Sequence, residues 1–380
     1  MLLPLSCQTH QEPTEALPHW ESAAELRSDA LALRLFSQVV QEQQGNVVFS
    51  PAGAESLLQM LKAGADGKTR AEIEALPPMG QTGVQTAMQP KTAQALFLCS
   101  DRAELKGGVL PDTELRRVAA GSALRDINRW VGKQTKGRIP AALSELPPRT
   151  ALVPVSAVYL EEKWLSPFGR NKTREEDFTL SSGKRIKVPM MHKSTAPRFY
   201  AEGKDWQAVA LFYRRDGRKG EPGCFIGIRP KGDARAFART LTPAKWEQIR
   251  RALREDKPQA TDIALPRFRT EAIRTDLTPA LKALGMRAAF SPQTADFSRL
   301  ATVPPPDVLY VDKVQQVACV KLNEEGTEAA AVTYAPLPAC SVHIAPQATR
   351  VIRFDKPFLW AITDLSGAAA PWFMGLTAEP

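Results

Sequence analysis

Residues 323–350 read N-E-E-G-T-E-A-A-A-V-T-Y-A-P-L-P-A-C-S-V-H-I-A-P-Q-A-T-R. The first part alternates with a period of two. Thr327, Ala329, Ala331, Thr333 and Ala335 are all small and uncharged, whereas Glu328, Ala330, Val332 and Tyr334 are mixed. Period-two alternation points to a strand with one buried face. Small residues on that face suit a strand that slides into a packed site. The second part is Pro-rich, apolar and poor in turn chemistry, which suits an exposed loop. An ordinary strand followed by an ordinary loop fits the same pattern.

The rest of the chain gives that segment a large host. The chain has 380 residues, 43% apolar and 24% charged, an ordinary globular balance. A chain this long buries a sizeable core without disulfides or metals. At about 150 residues per domain the length suggests two or three domains. Yet there is no internal repeat and no clear linker. Helix-rich and strand-rich blocks alternate, which favours one large α+β domain over residues 21–380 behind an N-terminal segment, residues 1–20. Net charge is +9, which a solvated surface accounts for and which would also suit an anionic partner such as heparin or DNA. The densest basic run, Arg214, Arg215, Arg218 and Lys219, sits among glycines and reads as an exposed turn.

Local patterns place the elements. Leu26, Ala30, Leu33, Phe36 and Val40 mark an amphipathic helix within residues 21–44. A short strand at Val47-Val48-Phe49 precedes a helix from about Ala54 to Ala63, closed by Gly64. Thr69 and Glu72 have the spacing of a capping box. Further helices are expected at residues 126–136, 241–254 and 277–284, and a central strand at 151–159. No run of 18 apolar residues suggests a transmembrane helix.

Catalytic and metal motifs are missing. The cysteines Cys7, Cys99, Cys224, Cys319 and Cys340 form no Cys-x-x-Cys pair, so neither a zinc site nor a disulfide scaffold is indicated. No nucleophile elbow, P-loop or His-Glu-x-x-His occurs. Cys340 and His343 lie three residues apart, a poor nucleophile–base arrangement without an orienting group. The acidic runs Glu161-Glu162 and Glu175-Glu176-Asp177 read as solvated faces on turn-like stretches. No cofactor is implied.

Glu324-Glu325-Gly326-Thr327-Glu328-Ala329-Ala330-Ala331 resembles the reactive-centre hinge of serpins, the serine protease inhibitor superfamily. Asn46-Val47-Val48-Phe49-Ser50-Pro51 resembles the family's N-x-x-F-S-P box, and Gly64-Ala65-Asp66-Gly67-Lys68-Thr69 its helix junction. Ile127-Asn128-x-Trp130-Val131, Tyr159-Leu160-x-x-Lys163-Trp164 and Val188-Pro189-Met190-Met191 follow in family order. Leu265-Pro266-Arg267-Phe268, Leu284-Gly285-Met286, Asp355-Lys356-Pro357-Phe358 and Phe373-Met374-Gly375 complete the series.

The resemblance implies a single-domain fold with three β-sheets, about eight or nine helices and an exposed reactive-centre loop at about 324–350. It implies a suicide inhibitor, not an enzyme. A protease attacks the loop as substrate, and the cut loop inserts into the main sheet while the acyl-enzyme persists. About 14 inserted residues at roughly 3.3 Å each carry the protease on the order of 45 Å. Family spacing from Glu324 puts the scissile bond at Cys340-Ser341, within a window from Leu337 to Pro346. A small P1 cysteine suits chymotrypsin-, elastase- or subtilisin-like enzymes. Papain-like proteases and a non-inhibitory carrier, chaperone or storage role are the alternatives. Pro336 and Pro338 fall in the segment that would insert, and each lacks an N–H. The resemblance places sheet opening at Ser50, Pro51, Ser156, Gln316 and Trp164. Ser156 and Gln316 stand where the family usually has asparagine and histidine, so no histidine-based pH switch is expected there. A monomer outside the cytoplasm, extracellular or periplasmic, is the family expectation. The start, Met1 to Cys7, resembles the tail of an export signal but lacks its basic start, which leaves the cytoplasm open.

Overall fold

The computed structural model describes residues 29–77, 87–88, 90–111, 114–146, 152–194, 197–255, 259–305, 308–327, 350–367 and 370–380. Most of the expected reactive loop, including Cys340, Ser341, Glu328, Ala329, Ala330, Ala331, Pro336 and Pro338, lies outside these residues. So does the N-terminal segment.

The helix Ala30–Glu42 buries Leu33, Phe36 and Val40 of the predicted stripe, together with Leu31, Leu35 and Val39, whereas Ala30 is half-buried and Leu26 lies outside the described residues. The next helix starts earlier than its apolar face suggests, running Pro51–Gly64. Ser50 caps it by accepting from the Gly53 amide at 3.1 Å, and Pro51 occupies the first turn, where its missing N–H costs nothing. Gly64 does not end this helix through a positive φ. Its missing Cβ makes room for Leu300, whose Cγ would otherwise stand 2.3 Å away.

The expected capping box is not formed. The helix Gly67–Glu74 is capped by Asp66, which accepts from the Gly67 amide at 2.8 Å. Thr69 and Glu72 instead hold a distant segment. Thr69 accepts from the Asp296 amide at 2.9 Å, and Glu72 accepts from the amides of Arg287 and Ala288 at 2.7 and 2.6 Å. Local spacing suggested a local bond, but tertiary partners took both side chains.

The main sheet has five strands in the order Ile273–Asp276, Gln315–Cys319, Leu152–Tyr159, Lys91–Cys99, Leu115–Val118. Strand Leu152–Tyr159 is buried along its whole length, as its Leu, Val and Tyr texture predicts, and its one small hydroxyl residue, Ser156, is buried as well. Its neighbour Gln315–Cys319 runs parallel to it, with Gln315 opposite Val155 and Cys319 opposite Tyr159. The helix Ala123–Gln134 lies over this sheet with Ile127 and Val131 buried, and Trp130 meets Phe97 edge-on at 5.2 Å.

Above the five strands the ladder is interrupted. The Thr270 hydroxyl stands in for a backbone acceptor, accepting from the Val320 amide at 2.9 Å, while the Thr270 amide and hydroxyl both donate to the Val320 carbonyl, at 2.8 and 3.0 Å. Beyond this break a separate four-stranded patch continues the sheet in the order Phe268–Arg269, Lys321–Leu322, Gly326–Thr327, Glu162–Lys163. A ten-stranded sheet packs behind. Its Phe225, Phe354, Phe358 and Trp360 form one core with Trp164 and Phe168. A two-stranded pair completes the set, so the three expected sheets are four hydrogen-bonded groups, and seven α-helices occur among the described residues. The architecture is a single α+β domain. No described helix is long and apolar enough to cross a membrane.

Thr69→Val orphans the half-buried Asp296 amide and should cost about 1–2 kcal/mol. Asp66→Ala, at an exposed cap, should cost about 1 kcal/mol or less. Urea midpoints of the two variants compare them directly. A larger loss at Asp66 would contradict the long-range role of Thr69.

Candidate functional site

The chain leaves strand Lys321–Leu322, turns at residues 323–326 and returns as Gly326–Thr327. Asn323 shapes this turn: its Oδ1 accepts from the Glu325 and Gly326 amides at 2.9 and 3.2 Å. The returning strand sits between two others. Thr327 pairs with Leu322 on one side and with Glu162 on the other, antiparallel to both. Gly326 passes so close to the 162–163 strand that a Cβ would lie 2.1 Å from the Glu162 carbonyl oxygen. Any side chain at position 326 would push the strands apart.

Backbone and side-chain groups of residues 164–173, together with Arg267, fix the hinge. Trp164 donates from its amide to the Glu325 carbonyl at 2.8 Å and from its indole N–H to the Asn323 carbonyl at 2.9 Å. The Phe168 amide donates to the Glu324 carbonyl at 2.8 Å. The Glu324 carboxylate accepts from Arg267 at 2.5 Å and from the Thr173 hydroxyl at 2.7 Å. Burial would raise the Glu324 carboxyl, but the Arg267 and Thr173 hydrogen bonds outweigh it and hold the group below the usual carboxylate range. Glu325 pairs with Arg170.

Thr327 points inward. It is fully buried, and its hydroxyl shares a 2.6 Å hydrogen bond with the Tyr213 hydroxyl. Burial pushes the Tyr213 hydroxyl far above its ordinary value, so it stays protonated. Tyr213 stacks flat on Trp164, with ring centroids 4.7 Å apart.

The residues expected to govern sheet opening fall into two groups. Trp164 belongs to the hinge cluster just described. Ser50, Pro51, Ser156 and Gln316 lie lower, where the helix Pro51–Gly64 begins against the sheet. The Gln316 amide grips the Ser50 backbone at two points, accepting from its N–H at 2.7 Å and donating to its carbonyl at 2.8 Å. Ser156, opposite Gln316 in register, accepts from the Gln94 amide at 3.1 Å, and Gln94 also donates to the Gly53 carbonyl at 3.2 Å. Gly53 is required here: a Cβ would come 2.8 Å from the Ser156 hydroxyl and 3.1 Å from the Gln316 amide nitrogen. Pro51 contributes the helix start and no side-chain hydrogen bond.

Asn323, Gln94, Thr173, Tyr213 and Arg267 were not singled out as site residues from sequence. Asn323-x-x-Gly326 carries a turn signal that could have been read. Arg267 lies in the quoted motif Leu265-Pro266-Arg267-Phe268, but nothing local marks its role or that of the other three: the partners lie 57 to 151 positions away or, for Gln94, 41 and 62.

The acidic runs are solvated only in part: Glu161, Glu175 and Asp177 are exposed, but Glu162 and Glu176 turn inward. Glu175-Glu176-Asp177 lies in the strand Arg174–Thr179, and Glu176 accepts from Arg174, His192 and Arg353. Burial opposes the charge, but these bonds prevail and lower the Glu176 carboxyl to about 2. The Glu162 side chain is only 4% exposed and takes a two-pronged contact from Arg218, at 2.6 Å for each prong. The reason in both cases is strand pairing, which turns part of each run inward.

Comparisons with known proteins agree with this geometry. The family model "Serpin (serine protease inhibitor)" matches residues 27–97 and 113–380. An uncharacterized serpin-like protein of Thermococcus kodakarensis is 31% identical, over 88% of this chain and 81% of that one. Glia-derived nexin of Rattus norvegicus is 28% identical over 94% of both chains. The crystal structure of native protease nexin-1 with heparin superimposes with a TM-score of 0.76 at 25% identity, over 93% of this chain and 98% of that one.

A Glu324 carboxyl held below its usual value contributes stability at neutral pH that is lost as pH falls through its folded-state pKa. Glu324→Gln should therefore be less stable than the parent at pH 7. The gap should narrow below about pH 4, where the parent carboxyl also protonates. Chemical denaturation at both pH values tests this; a pH-independent gap would contradict an ionic role for Glu324.

Proposed function

The chain belongs to the serpin family, and on that premise we propose that it is a suicide-substrate inhibitor of serine-type endopeptidases. The observation that carries this reading is the seat of Gly326–Thr327. This hinge strand is already wedged between Lys321–Leu322 and Glu162–Lys163, antiparallel to both. Those two short strands continue Gln315–Cys319 and Leu152–Tyr159, which run parallel side by side below. A strand that extends Gly326–Thr327 downward therefore meets two neighbours of the right polarity. Insertion breaks one parallel ladder and makes two antiparallel ones, which are slightly more stable per residue.

The chemistry follows family logic. The protease serine oxygen attacks the carbonyl carbon of the scissile residue, read as Cys340. The Ser341 amine leaves with a proton, and an ester links protease and loop. Loop insertion then competes with hydrolysis of that ester, so the outcome is set by rates. Thr327, Ala329 and Ala331 supply the small face that enters the sheet. A small P1 cysteine favours chymotrypsin-, elastase- or subtilisin-like targets. Pro336 and Pro338 favour the opposing, non-inhibitory reading, since each removes a ladder donor worth about 1 kcal/mol. An extracellular or periplasmic monomer is the expectation the family resemblance carries, and an anionic polymer is a second partner in this reading because the nexin-1 structure contains heparin.

Incubation with a panel of these proteases should give a complex stable to SDS, and mass spectrometry of the released peptide should begin at Ser341. Thr327→Arg places a charge at a fully buried position and should abolish the complex while leaving the loop cleavable. Clean loop cleavage with full protease activity, for every enzyme in the panel, would leave the non-inhibitory reading. A complex formed only with papain-like enzymes would move the target class.

A further inference from the structure

The seam between the parallel strands Leu152–Tyr159 and Gln315–Cys319 is roofed by helix Ala123–Gln134 and the segment that follows it, residues 135–146. Ile139, Ala142 and Leu143 of that segment share one core with Val155, Val317 and Cys319 of the two strands. The segment is stiff. Thr135 donates to the Val131 carbonyl at 2.8 Å and accepts from the Ile139 amide at 3.1 Å, closing a turn in which Lys136 and Gly137 adopt φ of 51° and 79°. Asn128 holds the far end: its Oδ1 accepts from the Ala142 and Leu143 amides, both at 2.9 Å, and its Nδ2 donates to the Leu143 carbonyl at 2.9 Å.

Side chains fasten this segment to both banks of the seam. On the Leu152–Tyr159 bank, Arg138 pairs with Glu161 and lies over the Tyr159 ring, 5.2 Å from its centroid. The preceding helix belongs to the same bank, since Trp130 packs on Phe97 of the adjacent strand Lys91–Cys99. On the opposite bank, Arg274 comes from strand Ile273–Asp276, beyond Gln315–Cys319. It donates from Nη2 to the Ala141 carbonyl at 3.1 Å. Arg274 thus spans the seam. One inserted strand moves the banks about 4.8 Å further apart, more than a hydrogen bond stretches, so this bond has to release as a strand enters. We propose that Arg274 is a positioning residue that pins residues 135–146 across the seam, and that release of this pin slows insertion of the cut loop. The proposal rests on the loop-insertion reading and names a group that opposes it. Slower insertion gives the ester more time to hydrolyse, so the pin tilts the outcome toward escape of the protease. Arg274 is exposed, so its replacement leaves the core intact.

Two measurements on the full chain separate the pin from the insertion reading. The first uses no protease and follows amide hydrogen exchange of residues 315–319. Arg274→Met removes the donor and should speed this exchange about fivefold, as loss of one hydrogen bond would. Exchange in helix Ala30–Glu42 and the urea midpoint should not move. The control Arg125→Met, on the exposed face of helix Ala123–Gln134, should match the parent. The second measurement mixes the chain with excess protease and follows tryptophan fluorescence. The phase whose rate no longer depends on protease concentration reads insertion, and it should run about fivefold faster in Arg274→Met. Heating the product shows whether the cut loop has inserted. Unchanged exchange at 315–319 in Arg274→Met, or an equal change in the control, would overturn the pin. Equal fluorescence rates in parent and Arg274→Met would overturn its control of insertion. A cut parent that gains no heat stability would overturn the insertion reading itself.

Discussion

Two fully buried strands, Leu152–Tyr159 and Gln315–Cys319, lie side by side and parallel in the middle of the main sheet. Parallel neighbours cannot be joined by a hairpin, so the chain that leaves the second strand must travel elsewhere. Here it turns back at once and starts down between the extensions of the same two strands. Much of the surrounding structure bears on how far that return goes. The Thr270 interruption separates the upper patch, where the third strand is already in place, from the lower sheet, where the two strands are still paired with each other.

The two levels are held by different chemistry. At the top the hinge is fastened by charge and aromatic stacking: Arg267 and Thr173 on Glu324, Arg170 on Glu325, and Trp164 on Tyr213. Lower down, the strands are tied to the start of helix Pro51–Gly64 by neutral amide and hydroxyl bonds from Gln316, Gln94 and Ser156. An ionic clasp responds to pH and salt, whereas a neutral amide latch does not titrate. The carboxylates with lowered pKa therefore lie at the hinge and at Glu176, and not at the lower latch. His192, the described histidine, serves Glu176 on the second sheet.

Much of the fold was legible because buried elements carry periodicity. The apolar stripes of Ala30–Glu42 and Ala123–Gln134 and the Leu, Val and Tyr texture of Leu152–Tyr159 state their own structure and burial. Polar side chains were less legible. Thr69 and Glu72 sit at capping-box spacing, yet bind residues more than 200 positions away. Glu162 and Glu176 read as surface acids, yet strand pairing brings guanidinium partners to both. A polar group has several acceptable local partners, so its choice depends on which segment arrives beside it.

The sequence by itself determined the family and the α+β class, and it carries the alternation of small residues from Thr327 onward on which the proposed hinge rests. Those features depend on residue size and order, which the chain carries directly. Only the tertiary structure decided that Gly326 must lack a side chain against Glu162, that Trp164 guards the hinge and not the lower latch, and that Gln94 and Tyr213 take part. Each of these depends on a contact between segments brought together by the parallel pairing of two central strands, and no spacing along the chain encodes that distance.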